Sequence, residues 1–126
     1  MRIAYGAALA AAIMLGCGSG AGVEQGDRFV VQEELRESAT TQWEQPYSDG
    51  FTAMIPEGTE LKAVYSTTPG ASYFECTPVK VNGQADEEYI LQFFVPEGTR
   101  TREGFQGFTF SLPTEYIGEK IKAVEN

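Results

Sequence analysis

The sequence predicts an all-β fold, a small β-barrel or sandwich, on three observations. From Arg28 onward, glycine, proline or polar clusters interrupt the chain about every 8–15 residues. Between these breaks lie runs of β-branched and aromatic residues, the types that suit a pleated, half-buried surface. After residue 17, no segment sustains a long apolar period of 3.6 residues.

Taken in order, Phe29-Val30-Val31 opens the first strand, and residues 32–37 either extend it or form a short helical turn. Residues 51–55 form a second strand and 60–65 a third. In the third, Leu61, Ala63 and Tyr65 share one face while Glu60 and Lys62 take the other. Residues 72–76 form a fourth strand, stopped or bent by Pro78, and Asn82-Gly83 signals a tight turn after Val79-Lys80-Val81. Residues 89–95, Tyr-Ile-Leu-Gln-Phe-Phe-Val, are apolar on both faces and are therefore expected as the most central strand. Residues 108–112 alternate cleanly up to Pro113, and residues 117–123 supply a closing strand with Ile117, Ile121 and Ala123 on one side. Two stretches nearly repeat, Ile55-Pro56-Glu57-Gly58-Thr59 and Val95-Pro96-Glu97-Gly98-Thr99. Proline at the second position and glycine at the fourth suit a β-turn, so both are expected as similar turns leaving similar strands.

Length and charge bound the function. The 126 residues suffice for one domain, and the expected division is a leader at 1–16, a glycine-rich tether at 17–26 and a single β domain at 27–126. Acidic residues outnumber basic ones 18 to 9, a net charge of −9 that becomes −10 once Arg2 leaves with the leader. That balance excludes nucleic acid as a partner, because phosphate binding needs a basic footprint. The absence of histidine removes the usual neutral-pH general base and the commonest nitrogen ligand for metals.

At the amino terminus, Arg2 precedes thirteen uncharged residues, 3–15, followed by Gly16 and Cys17. Charge, apolar length and a small end residue are the pattern of a secretory signal peptide, and the run is too short to span a bilayer comfortably as a helix. The segment Met14-Leu15-Gly16-Cys17 resembles the lipobox of bacterial lipoproteins, although Met14 and Leu15 depart from the leucine and small residue usual there. The resemblance implies cleavage before Cys17 and lipidation of its thiol. It places the protein in the cell envelope, attached to the membrane through lipid. Gly18 is not the aspartate that favours inner-membrane retention, so the implied address is the outer membrane facing the periplasm in a Gram-negative cell. Gly18, Gly20, Gly22 and Gly26 make the following stretch a flexible tether.

The closing stretch from Gly107 to Ile117 loosely resembles that of SH3-like barrels, in which a strand, a proline-containing 3₁₀ turn with a buried tyrosine and a final strand complete the barrel. The chain lacks the acidic loop and tryptophan pair of peptide-binding members, since Trp43 is its single tryptophan. The resemblance therefore implies a barrel and no SH3 ligand.

Chemistry-bearing residues are sparse. Serines and threonines have no histidine to activate them, so no catalytic residue is expected. Cys76 alternates with Phe74 and is expected as a buried, inert thiol. Asp86-Glu87-Glu88 and Ser48-Asp49-Gly50 offer oxygens but lack the alternating spacing of a calcium loop, so no metal or cofactor is expected. Fourteen of the fifteen aromatic residues follow the leader. Trp43, Tyr47 and Tyr73 stand beside proline, glycine and polar residues, where rings form contact surfaces or cover the ends of a barrel. The expectation is a non-enzymatic binding or structural module. One alternative is an inhibitor of a cationic hydrolase such as lysozyme, for which the acidic charge would draw in a cationic protein partner. The other is a small carboxylate-dependent hydrolase, which needs two carboxyl groups about 5–10 Å apart across a cleft.

Overall fold

In a computed structural model, which describes residues 22–45 and 49–124, seven strands form one antiparallel sheet that does not close. The strands are β1 (Arg28–Val31), β2 (Leu35–Trp43), β3 (Gly50–Ile55), β4 (Glu60–Ala63), β5 (Tyr73–Lys80), β6 (Phe105–Pro113) and β7 (Ile121–Val124), arranged β3-β2-β6-β5-β4-β1-β7. Two short helices, α1 (Glu87–Phe94) and α2 (Glu97–Arg100), lie between β5 and β6, and a 3₁₀ turn (Thr114–Tyr116) follows β6. The expected all-β class is what forms.

Alternation fixes the core. One row across the sheet pairs Ala39 with Phe110, Phe110 with Cys76 and Cys76 with Ala63, all four buried. Above and below it, Leu35, Ile55, Leu61, Phe74, Leu112, Val31 and Ile121 are also withdrawn from solvent. Small side chains flank Phe110 on both sides, which leaves room for rings from other elements.

The segment expected as the central strand is helix α1. Asp86 caps it, its carboxylate accepting the Tyr89 N–H at 2.9 Å, and Glu87 and Glu88 occupy the first turn, where the helix dipole favours negative charge. Ile90 and Phe94, four residues apart, are buried, while Tyr89 and Phe93 face outward. Two turns are too few to display a clear period, and an apolar run of this length fits either element. Phe94 meets Phe110 edge-on at 5.5 Å and Phe108 at 6.1 Å, closing the core.

Other departures have local causes. Residues 35–43 are a nine-residue strand, hidden in the sequence because its buried positions include the small Ala39 and Thr41. Strand β5 runs through Pro78, which lies opposite Leu61 where the β4 register shifts between Glu60 and Leu61; the irregularity accommodates the missing N–H. Strand β4 ends at Ala63, so Tyr65 does not share its buried face and is 57% exposed. Ile121 is buried but Ala123 is exposed.

The near-repeat adopts two conformations rather than two similar turns. At 55–59, Gly58 has φ +90°, its N–H donates to the Val31 carbonyl at 2.8 Å, and Thr59 is wholly buried with its hydroxyl on the Pro56 carbonyl. At 95–99, the same Pro-Glu-Gly-Thr winds into α2, with Arg100 N–H donating to the Pro96 carbonyl at 3.0 Å. The end of β1 clamps the first copy, and among the described residues no strand end does the same for the second. The Asn82-Gly83 turn forms as expected, with φ of 52° and 77° and reciprocal bonds between Val81 and Gln84.

Residues 22–26, expected within the tether, are docked on the domain. Val23 is buried, its N–H donates to the Thr67 hydroxyl at 2.9 Å, and its carbonyl accepts the Thr67 N–H at 2.8 Å. A Cβ at Gly22 would collide with the Thr67 carbonyl, so glycine permits the close approach here rather than supplying slack.

Phe93 and Phe94 provide the test of this architecture. Phe94→Ala should cost about 3–5 kcal/mol in urea unfolding, whereas Phe93→Ala should cost under about 1 kcal/mol. Equal losses would contradict the helical assignment.

Candidate functional site

The three aromatic candidates do not form one surface. Trp43 pairs with Phe105 at the start of β6, and Tyr73 pairs with Pro113 at its end. Eight residues of strand separate those ends by roughly 27 Å. Tyr47 and Cys17 lie outside the described residues.

Trp43 is half-buried and engaged. Its indole N–H donates to the Thr41 hydroxyl at 2.7 Å, its ring meets Phe105 edge-on at 5.5 Å, and the Arg102 guanidinium lies 5.3 Å from its centroid. Tyr73 is 60% exposed and remains a candidate contact residue by itself.

A groove of about 940 Å³ is lined by β4, β5, the first half of β6 and helix α1. Tyr65 and Gln25 lie at one part of its wall, Lys62 and Arg100 bring positive charge, and Glu87 and Glu88 bring negative charge. Ile90, Leu91, Phe105 and Phe108 make its apolar portion. The buried Nε–H of Arg100 has no acceptor among the described residues. The lining thus combines both signs of charge, an exposed tyrosine and an apolar wall.

Beside it, α1 presents a second aromatic pair that the sequence did not reveal, because residues 89–95 read as a buried strand. Tyr89 and Phe93 stack with centroids 6.3 Å apart, and the Asn82 amide donates to the Tyr89 hydroxyl at 3.2 Å. The helical spacing of Tyr89 and Phe93, read against the Asp86 cap, was the available signal.

Among the described residues, no group of three or more candidate metal ligands converges. Asp86 is occupied as the α1 cap, and the Asp49 carboxylate accepts the Gly50 N–H at 2.8 Å.

Two groups have shifted acidities. Cys76 is free and wholly buried, and burial, followed by the charges of Glu75 and Glu37, pushes its thiol up to about 12. Tyr116 donates its hydroxyl to Glu37 at 2.8 Å; that hydrogen bond, then desolvation and the surrounding negative charge, raises its pKa above the ordinary tyrosine value. A thiol held this way is not a nucleophile at neutral pH.

No family model, curated protein or solved structure matches the chain.

The Cys76 shift has a measurable consequence. The unfolded chain releases the proton near 9.0 and the folded chain near 12. The resulting stabilisation is fully present below pH 9 and is lost as pH climbs through that window. Relative to Cys76→Ala, the wild-type unfolding free energy should fall by about 1.4 kcal/mol per pH unit there, read from denaturant titrations. Alkylation of Cys76 by iodoacetamide at neutral pH should require denaturant.

Proposed function

We propose that the protein is a lipid-anchored component of the bacterial cell envelope whose β domain acts as a non-enzymatic binding module. The observation that carries this reading is the Gly16-Cys17 junction at the end of an uncharged run, the arrangement that resembles a lipobox. Lipid attachment supplies the membrane contact, and no helix among the described residues is long and apolar enough to cross a bilayer. Two or three acyl chains give stable anchoring where one chain is marginal. The groove beside α1, with Tyr65 and Arg100 in its wall, is the surface we assign to ligand.

The charge favours one class of partner. The net −10 of the chain left once Arg2 departs with the leader creates a field that draws in cationic proteins, which keeps inhibition of a basic hydrolase as a second reading.

Two measurements test these readings. Wild-type protein should incorporate radiolabelled palmitate, and Cys17→Ser should abolish both labelling and processing; wild type that is unlabelled and cut elsewhere would refute the anchor. A protein partner recovered from envelope extract should be basic, with an association rate that falls severalfold between low and physiological ionic strength. A neutral or acidic partner without salt dependence refutes the inhibitor reading.

A further inference from the structure

Strand β3 has the composition of an interior strand and the position of an edge. It ends the sheet, pairing with β2 alone among the described residues, yet Gly-Phe-Thr-Ala-Met-Ile contains no charge and no proline. The other uncharged strand is β6, which is paired on both sides. The opposite edge, β7, carries Lys122, a residue type that discourages strand addition. In a chain where 21% of residues are charged, an uncharged outer edge is an exception.

The free hydrogen-bonding groups on that edge follow from the pairing. The Thr41 N–H donates to the Asp49 carbonyl at 3.1 Å, which sets the alternation along β3. Phe51, Ala53 and Ile55 therefore aim their backbone groups at β2, and Gly50, Thr52 and Met54 aim theirs outward. The Gly50 N–H, lacking a strand partner, is met by its neighbour's carboxylate on Asp49.

We propose that β3 pairs antiparallel with β3 of a second copy of this chain, across a two-fold axis at Thr52. That register makes the edge complementary to itself. Thr52 faces Thr52 of the partner copy, a favourable cross-strand pair, and each donates its N–H to the other's carbonyl. Met54, 39% exposed, lies across Gly50 of the other copy, which offers no side chain to obstruct it. Half-buried Phe51 lies opposite the small Ala53. Between Gly50 and Met54 each large residue meets a small one and Thr52 meets its equal, and Ile55 falls opposite the exposed Asp49 at either end of the pairing.

Sedimentation velocity of the full chain, in one mild detergent throughout, tests this. Two copies of charge −9 repel, so a concentration-dependent dimer should strengthen severalfold as salt rises. That dependence is opposite in sign to the one expected for a cationic partner. Thr52→Pro removes an N–H that points away from β2, so it should preserve the fold by circular dichroism while weakening the dimer by roughly tenfold or more. Met54→Lys, at an exposed position, should have the same effect and stands in if the proline variant unfolds. Wild type that stays monomeric across the micromolar range overturns the proposal, as does a dimer unaffected by the folded variants.

Discussion

The packing around Phe110 is the constraint on which the rest of the fold depends. Its ring lies wholly out of solvent on β6, between Ala39 and Cys76 on the neighbouring strands. Those small neighbours let Phe94 of α1 and Phe108 approach it edge-on, each with centroids 5.5 Å away. An aromatic pair in that geometry adds about 0.5–1.5 kcal/mol beyond the burial of its area. The same contacts join helix to sheet, so the position of α1, and with it one wall of the groove, follows from the choice of small residues at 39 and 76. Cys76 serves there as a compact apolar side chain, and its raised pKa is a by-product of that placement.

Much of the sheet was legible because alternation survives in sequence when the buried residues are large. Phe29 and Val31, and Leu61 and Ala63, alternate with exposed or half-buried neighbours, and Phe110 and Leu112 flank the exposed Ser111, although Thr109 is buried as well. Strand β2 was not, since Ala39 and Thr41 give little hydrophobic contrast with Ser38, Thr40 and Gln42. The run 89–95 failed for the converse reason: aromatic residues cover both its buried and its exposed sides, so contrast is absent there too. Pro-Glu-Gly-Thr shows the limit of local signals. Four identical residues take two conformations because in one copy the end of β1 hydrogen-bonds to Gly58 and Thr59.

The candidate surface was less legible than the fold. Proximity to proline and glycine marked Trp43 and Tyr73, but only strand pairing shows that they belong to opposite ends of β6. Tyr65 was assigned to a buried face by parity, and the early end of β4 instead leaves it in the groove wall. Such surfaces depend on where elements stop, which is set by tertiary contacts rather than by residue type.

The docking of residues 22–26 has a consequence for how the domain is presented. Its carboxyl-side neighbours fix Val23 against Thr67 and Gln25 against Ser66. Only five residues lead from Cys17 to Gly22, a contour of at most about 18 Å. An acyl chain on Cys17 would therefore keep the pole that begins at Gly22 within about 18 Å of the lipid headgroups. That pole carries Gln25 and Tyr65, which also border the groove. The recess would then sample the thin layer of solution against the bilayer, and a ligand would meet it by diffusing along the surface rather than across the open compartment.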